Sequence, residues 1–217
     1  MVGGEVMANC VGREDVRLSA IARREAHLPP GIRMELFVAE PEKWSEVIEA
    51  LQPTAVICAL GTTWKKAGEE EDAFREVDER LVLDVAQAAK ANGVERFAAV
   101  SSVGADAASK TFYLKVKGEV ERELTRIRFS RLDIMRPGLL LGARNDERRL
   151  GERLGQLAAP LGTLFLHGKY RQYRAIPADV VAKAALALAK RPARGRFVHD
   201  NDAIRRAART LPVLAEN

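Results

Sequence analysis

Residues Phe97 to Glu121 read FAAVSSVGADAASKTFYLKVKGEVE and contain the clearest structural signal in the chain. It begins with a short apolar run, continues through Ser101 and Ser102 into a polar loop, and ends in a segment with helical spacing. Tyr113 and Lys117 are four residues apart, so a helix would place them on one face with Cβ atoms about 6 Å apart. The stretch therefore predicts a strand, a serine loop and a helix that bring a hydroxyl, a phenol and an ammonium to the strand's carboxyl end.

The rest of the chain alternates predicted strands with predicted helices. Strands are expected at 16–22, 32–39, 55–60, 97–100, 131–135 and 196–198, and helices at 2–11, 45–51, 70–91, 112–126, 150–158, 178–190 and from 201 onward. This alternation predicts parallel βαβ units and an α/β fold with a doubly wound parallel sheet. We expect one domain over residues 1–217, with a small substrate-side lobe at about 138–176.

Composition narrows the class of protein. The chain has 217 residues, of which 47% are hydrophobic and 30% charged, and these values are typical of a folded globular protein. The net charge of +5 suits an anionic ligand such as a nucleotide but is too small to indicate nucleic-acid binding. The sequence contains no apolar run near the 18 or more residues of a membrane span, and its first residues do not resemble a signal peptide.

The two cysteines, Cys10 and Cys58, have neither CxxC spacing nor a neighbouring histidine. This pattern favours reduced thiols over metal ligands, and no metal is expected. On this basis the sequence predicts a cytoplasmic protein.

Tyr113, Lys117 and a serine form a set with a specific chemistry. A tyrosine ordinarily has a pKa of about 10, and a nearby ammonium lowers it by favouring the phenolate. A serine hydroxyl can orient a carbonyl or alcohol oxygen between them, so the set suits proton transfer coupled to hydride transfer. The competing interpretation is a tyrosine and a lysine that are simply neighbours on a helix surface.

Four motifs together give a resemblance to a known family. They are CALGTT from Cys58, SSVGAD from Ser101, YLKVKGEVE from Tyr113 and RPGLLLG from Arg136. With these motifs the chain resembles the short-chain dehydrogenase/reductase superfamily, and within it the atypical group around the Tat-interacting protein oxidoreductase and its bacterial relatives. The resemblance covers residues 55–155 well and the remainder more loosely.

The resemblance implies a role for each matching residue. Tyr113 would be the catalytic acid/base, and Lys117 would lower its pKa and bind the nicotinamide ribose. Ser102 would orient the substrate, with Ser101 as the alternative. Cofactor-binding residues would be Gly3, Ala59, Leu60, Gly61, Lys117, Pro137, Gly138 and Leu139.

Arg23 and Arg24 bear on the choice of cofactor. They follow the predicted strand at 16–22, at the place where cations in this fold meet the 2′-phosphate of NADP. NADP is therefore expected rather than NAD. An arginine pair that is merely solvated is an equally open interpretation.

The beginning of the chain departs from the family pattern. The family opens with a strand and a GxxGxxG turn, whereas this chain opens with Met1-Val2-Gly3-Gly4, and Gly3 matches the last of those glycines. We therefore expect a Rossmann-like sheet that lacks its first strand. Three explanations are open: a shortened start, which the intact later motifs favour, a segment from elsewhere such as a second chain, or a rearrangement that abolishes cofactor binding.

Three functions follow from the resemblance. The first is an NAD(P)-dependent oxidoreductase acting on a small carbonyl or alcohol. The second is a non-catalytic nucleotide sensor or scaffold of the same fold, and the third is a nucleotide-sugar epimerase or dehydratase. The expected partner is a small-molecule substrate. A homodimer through the helices at 70–91 and 112–126 is compatible with the resemblance, as is a monomer.

Overall fold

The computed structural model describes residues 1–142 and 168–213. The strands are β1 Leu18–Ala22, β2 Met34–Val38, β3 Ala55–Cys58, β4 Arg96–Val100, β5 Arg131–Met135, β6 Leu140–Leu141, β7 Ile176–Pro177 and β8 Gly195–His199. The helices are α1 Val2–Ala8, α2 Trp44–Leu51, α3 Glu71–Arg75, α4 Leu81–Ala91, α5 Phe112–Ile127, α6 Ala178–Ala189 and α7 Asn201–Ala208. Short 3₁₀ turns cover Pro41–Lys43 and Gly168–Tyr173, and the predicted helix at 150–158 lies outside the described residues.

Most of the predicted elements are present. The predicted helix at 70–91 is found as α3 and α4 joined by a π-helical turn at Glu76–Arg80, which the hydrophobic spacing does not reveal. The 3₁₀ turn at Gly168–Tyr173 and the two-residue strands β6 and β7 were not predicted. Such short pairs carry too few residues for a periodic signal.

Parallel pairing aligns the carboxyl ends of three neighbouring strands. Strands β3, β4, β5 and β8 form one parallel sheet in that order. Val100 pairs with Met135, and Met135 pairs with His199, so the loops that follow β4 and β5 leave the sheet side by side. The doubly wound parallel sheet predicted from the strand–helix alternation is confirmed.

Strands β1 and β2 form a separate parallel pair. Among the described residues, β1 pairs only with β2, and β3 pairs only with β4. All five residues of β1 and three of the four in β3 are half-buried, whereas every residue of β5 is buried. This arrangement matches the expectation of a sheet without a strand between β1 and β3.

Successive side chains of the sheet point into two different cores. Phe97 and Ala99 of β4 belong to a core formed with α2, α4 and α5, whereas Ala98 belongs to a core formed with α1, α6 and α7. Because consecutive strand residues face opposite sides of a sheet, the two helix groups cover opposite faces. None of the helices in the described part of the chain is long and apolar enough to cross a lipid bilayer.

Helix α5 lies directly against the loop that follows β4. A Cβ atom built on Gly118 would be 2.1 Å from the Ala107 nitrogen and 2.6 Å from the Asp106 Cα. Only glycine permits this backbone contact. In the same place the Asp106 amide donates to the Leu114 carbonyl at 3.1 Å, so the helix and the loop are held together on both sides of one turn.

We predict that Gly118→Ala lowers the free energy of unfolding by at least about 2 kcal/mol, because the added methyl group must push backbone apart. Gly4→Ala is the matched control, since the Cβ at that helical position meets nothing within 4 Å. The control should change stability by less than about 1 kcal/mol, in the stabilising direction. Urea unfolding of the two variants measures the difference, and equal stabilities would contradict the contact.

Candidate active site

The serine loop begins where β4 ends, and its first serine forms hydrogen bonds through both its amide and its hydroxyl. The Ser101 amide donates to the Met135 carbonyl at 2.7 Å, and its hydroxyl donates to Glu121 Oε1 at 2.5 Å. Arg136 also binds Glu121, with Nε 2.9 Å from Oε1 and a second contact from Nη2 to Oε2. The Ser101 hydroxyl is therefore part of a network that ties β4, α5 and the end of β5 together.

Ser102 is less constrained. Its hydroxyl makes one long, local hydrogen bond, to the Val103 carbonyl at 3.3 Å, and the residue is half-buried. Of the two serines, Ser102 can exchange its hydrogen bond for one to a ligand at little cost.

Tyr113 lies in the first turn of α5 and is accessible. Its side chain is 36% exposed, and its ring packs edge-on against Phe74 with 5.7 Å between ring centroids. Phe74 also contacts the rings of Phe112 and Trp64. This aromatic cluster supports one side of the tyrosine ring and leaves the rest of it in reach of a ligand.

Lys117 lies one turn further along α5 and is buried. Its Nζ lies 2.7 Å from Asp78 Oδ1, and the two residues are 6% and 1% exposed. Asp78 was not predicted as a site residue, although its spacing from apolar residues indicated that it faces the core. Asp78 is four residues after Phe74 and four before Val82, both of which are buried, so a charged residue occupies a core-facing position of the helix.

The predicted cofactor-binding residues near β3 lie together. A Cβ built on Gly3 would be 3.9 Å from the Ala59 Cβ, so the first turn of α1 touches the segment that leaves β3. Gly61 is exposed, and the next amide, that of Thr62, donates to Asp78 Oδ2 at 2.6 Å. Leu60, Ser101 and Lys117 line one small cavity. The structure thus brings this group to the same edge of the sheet as the serine loop.

The loop after β5 runs beside the serine loop. The Val103 amide donates to the Pro137 carbonyl at 2.9 Å. Gly138 donates to Asn201 Oδ1 at 3.1 Å, and a Cβ on this glycine would be 2.3 Å from the Arg174 carbonyl oxygen. Leu139 is 59% exposed. Asn201, buried and bonded to both Gly138 and Arg174, was not singled out from the sequence.

Arg23 and Arg24 directly follow β1 and are both exposed. Neither forms an ion pair with another described residue, so both guanidinium groups are available to an anion. The exposed backbone at Gly61, Gly3 beside Ala59 and these two cations fit a dinucleotide laid across the carboxyl ends of the strands. Lys117 and Tyr113 would then lie toward the end that carries the reacting ring.

Both cysteines are buried, and burial raises the pKa of each thiol. The pKa of Cys58 is raised to about 11, and that of Cys10 is also raised. Within residues 1–142 and 168–213, no group of three or more His, Cys, Asp or Glu residues is placed to hold a metal ion.

We predict that neither thiol reacts with iodoacetamide in the native protein at pH 8. A raised pKa keeps the thiol protonated at that pH, and burial also blocks access. Mass spectrometry should show both cysteines labelled only after unfolding in urea. Rapid labelling of native Cys58 would contradict its position beneath the site.

Comparison with protein families gives a match over most of the chain. A family model described as NAD(P)H-binding matches residues 1–192. The matched region includes α1, the segment after β3, the serine loop and α5, and therefore every site residue that was predicted from the sequence.

Curated relatives agree with that match. The chain is 36% identical to Protein FMP52, mitochondrial, of Saccharomyces cerevisiae over 177 residues, which are 80% of this chain and 76% of the relative. It is 37% identical to Protein FMP52-1, mitochondrial, of Scheffersomyces stipitis over 155 residues, 70% of this chain and 66% of the relative. It is 46% identical to Protein HTATIP2 of Rattus norvegicus over 112 residues, 51% of this chain and 46% of the relative.

Solved structures share the fold. MoeE5 in complex with UDP-glucose and NAD matches with a TM-score of 0.67 at 15% identity, covering 91% of this chain and 71% of that one. The Bordetella bronchiseptica enzyme WbmH in complex with NAD+ matches with a TM-score of 0.68 at 16% identity, covering 92% and 72%.

The relatives correct one prediction. The expectation of a cytoplasmic protein is wrong, because the FMP52 relatives are named as mitochondrial proteins. Two reduced cysteines do not distinguish the cytosol from other reducing compartments, so the composition could not support that prediction.

Proposed function

Because the chain belongs to the NAD(P)H-binding family, in the atypical group related to the short-chain dehydrogenases/reductases, we propose that it is an NADP-dependent oxidoreductase for a small carbonyl or alcohol. One observation carries the proposal. An accessible tyrosine and a buried lysine lie one turn apart on α5, beside a serine loop at the carboxyl ends of parallel strands.

Each residue of the site has a task in this reaction. Ser102 donates a hydrogen bond to the substrate oxygen and orients it. When a carbonyl is reduced, the Tyr113 phenol gives its proton to that oxygen, and in the reverse direction the phenolate takes the proton from the alcohol. Lys117, whose ammonium is fixed by Asp78, provides positive charge near the phenolate. A bound nicotinamide supplies or accepts the hydride.

The cofactor would be held by the residues around α1, β1 and β3. Gly3, Ala59, Leu60 and Gly61 would line the dinucleotide, and Pro137, Gly138 and Leu139 would lie near its nicotinamide end. Arg23 and Arg24 would bind the 2′-phosphate, and this contact selects NADP over NAD.

A non-catalytic nucleotide sensor is the second candidate, and one observation favours it. The charge of Lys117 is balanced by a buried carboxylate, so less of that charge acts on Tyr113 than a free ammonium would exert. The UDP-sugar enzymes among the structural neighbours are at most 17% identical and indicate the fold alone. Binding of UDP-glucose to the protein would be needed to support an epimerase or dehydratase.

We predict that Tyr113→Phe lowers kcat by at least about 100-fold, because it removes the proton donor of the reaction. NADPH affinity should stay within about threefold of the parent, since the phenol contributes little to ground-state cofactor binding. NADPH oxidation with a panel of small aldehydes, ketones and quinones measures turnover, and NADPH fluorescence measures binding. Lys115→Ala, an exposed change two residues away, should affect neither quantity. Unchanged turnover in Tyr113→Phe would contradict a catalytic role and favour the sensor.

We further predict that the double change Arg23→Ser and Arg24→Ser weakens NADPH binding by about tenfold or more, because charge-assisted hydrogen bonds to the 2′-phosphate are lost. NADH binding should be unaffected, since NADH has no phosphate at that position. Arg17→Ser is the control, because its side chain is 88% exposed. Calorimetric titration with both nucleotides measures the affinities. Equal losses of affinity for NADPH and NADH would show that the arginines do not bind the 2′-phosphate.

A further inference from the structure

A cleft outside the candidate active site lies between α5, the serine loop and strand β8. Its volume is about 520 Å³, which is within the range of small-molecule binding sites. Six of the residues that line it carry charged side chains, namely Arg122, Arg126, Arg136, Arg196, Asp106 and Glu121. Because the arginines outnumber the carboxylates two to one, the cleft is a candidate site for an anion.

The fold brings these arginines together from three elements. Arg122 and Arg126 are four residues apart and therefore lie on one face of α5. Arg196 of β8 pairs with Leu132, whose side chain belongs to the core formed with α2, α4 and α5, so Arg196 points to the same face of the sheet as α5. Arg136 directly follows β5, the strand beside β8. The four guanidinium groups thus surround one space at this side of the sheet.

The two carboxylates of the cleft are bound to neighbouring groups. Glu121 accepts the Ser101 hydroxyl at 2.5 Å and forms an ion pair with Arg136. Asp106 accepts the Ala108 amide at 2.9 Å. The charge of Glu121 is therefore balanced by Arg136, whereas the negative charge of Asp106 lies at the serine-loop end of the cleft.

The other three arginines keep unused hydrogen-bond donors. Arg196 is exposed and forms no hydrogen bond or ion pair with any residue that the structure describes. Arg122 donates only through Nε and Arg126 only through Nη1, and both donate to the carboxylate of Glu123. Since a guanidinium has five N–H donors, most of the donors on these three side chains are available to a ligand.

We propose that the cleft binds the phosphate group of a small phosphorylated molecule. A guanidinium forms two parallel charge-assisted hydrogen bonds to phosphate oxygens, and a phosphate has enough oxygens to bind more than one of Arg122, Arg126 and Arg196. The rest of the molecule lies toward Asp106, where a second anionic group would be repelled. A phosphate monoester with an uncharged remainder therefore fits the cleft better than a polyphosphate does.

This cleft is separate from the site proposed for the phosphates of the dinucleotide. Gly3 lies in α1, and Arg23 and Arg24 follow β1, whereas Arg196 belongs to β8. Strand β8 is three strands from β3, about 14 Å away at the usual strand spacing. Glu121 lines both the cleft and the small cavity of the candidate active site, so the two are neighbours. The inference does not rest on the proposed function.

Calorimetric titration of the nucleotide-free protein with glycerol 3-phosphate, at constant ionic strength, tests the proposal. The double change Arg126→Gln and Arg196→Gln should weaken binding by at least about tenfold, because charge-assisted hydrogen bonds to the phosphate are lost. Arg206→Gln with Arg209→Gln is the matched control, since both residues are exposed and lie in or directly after α7, on the opposite face of the sheet. The control should keep its affinity within about twofold of the parent, because distant surface charges are screened.

A third double variant, Arg23→Ser with Arg24→Ser, separates the cleft from the dinucleotide site and should also stay within about twofold of the parent. Loss of binding in this variant alone would place the phosphate at the dinucleotide site and overturn the proposal. The same loss in all three double variants would indicate non-specific attraction and overturn it, as would a parent protein that does not bind glycerol 3-phosphate. Failure of the parent to bind NADPH would contradict the proposed function and leave this result unaffected.

Amide hydrogen exchange locates the ligand without any substitution. Glycerol 3-phosphate should slow exchange in the serine-loop segment 105–108 and in β8, because a bound ligand covers both. Exchange in the segment 59–62, on the dinucleotide side, should be unchanged. Slowing at 59–62 alone, or no slowing in either cleft segment, would overturn the proposal.

Discussion

The backbone contact between α5 and the loop after β4 is the constraint on which the site depends. Gly118 lets the helix approach the loop at Asp106 and Ala107 so closely that no side chain fits between them. Tyr113 and Lys117 are on the same helix, within five residues of that contact, and Ser101 and Ser102 begin the same loop. The position of the helix relative to the serines is therefore set by backbone atoms, which move less than side chains do.

Buried charges then fix the orientation of the individual groups. Glu121 accepts a hydrogen bond from the Ser101 hydroxyl and forms an ion pair with Arg136. Asp78 forms an ion pair with Lys117 and accepts a hydrogen bond from the Thr62 amide. Arg136 is partly exposed, and the attraction to Glu121 raises its pKa, so it stays charged throughout the physiological range. Each carboxylate joins segments that are far apart in sequence, and together they hold the loops after β3, β4 and β5 around α5. A proton-transfer site needs such fixed donors and acceptors, because misplacement of the reacting groups by an ångström is costly.

Much of this architecture could be predicted from the sequence because it follows from periodic patterns. The apolar run before Ser101 and the spacing of Tyr113 and Lys117 gave β4 and α5 within a residue or two. The spacing of Asp78, four residues from both Phe74 and Val82, indicated a core-facing side chain, but the sequence could not show that this side chain meets Lys117 of α5. The distinction between Ser101 and Ser102 likewise required knowing that Glu121, two turns beyond Tyr113, reaches back to the first serine. Patterns in a sequence report which face of an element is buried, but they do not report which two buried groups meet across the core.

We propose that a nicotinamide dinucleotide binds across the carboxyl ends of the strands, beside Tyr113 and Lys117. Amide hydrogen exchange of the parent protein with and without NADPH tests it most directly. We expect NADPH to slow exchange in three segments, around Ala59–Thr62, around Ser101–Gly104 and in the first turns of α5, and to leave the outer face of α2 unchanged. An exchange pattern that NADPH does not alter, or that it alters only away from these three segments, would contradict it.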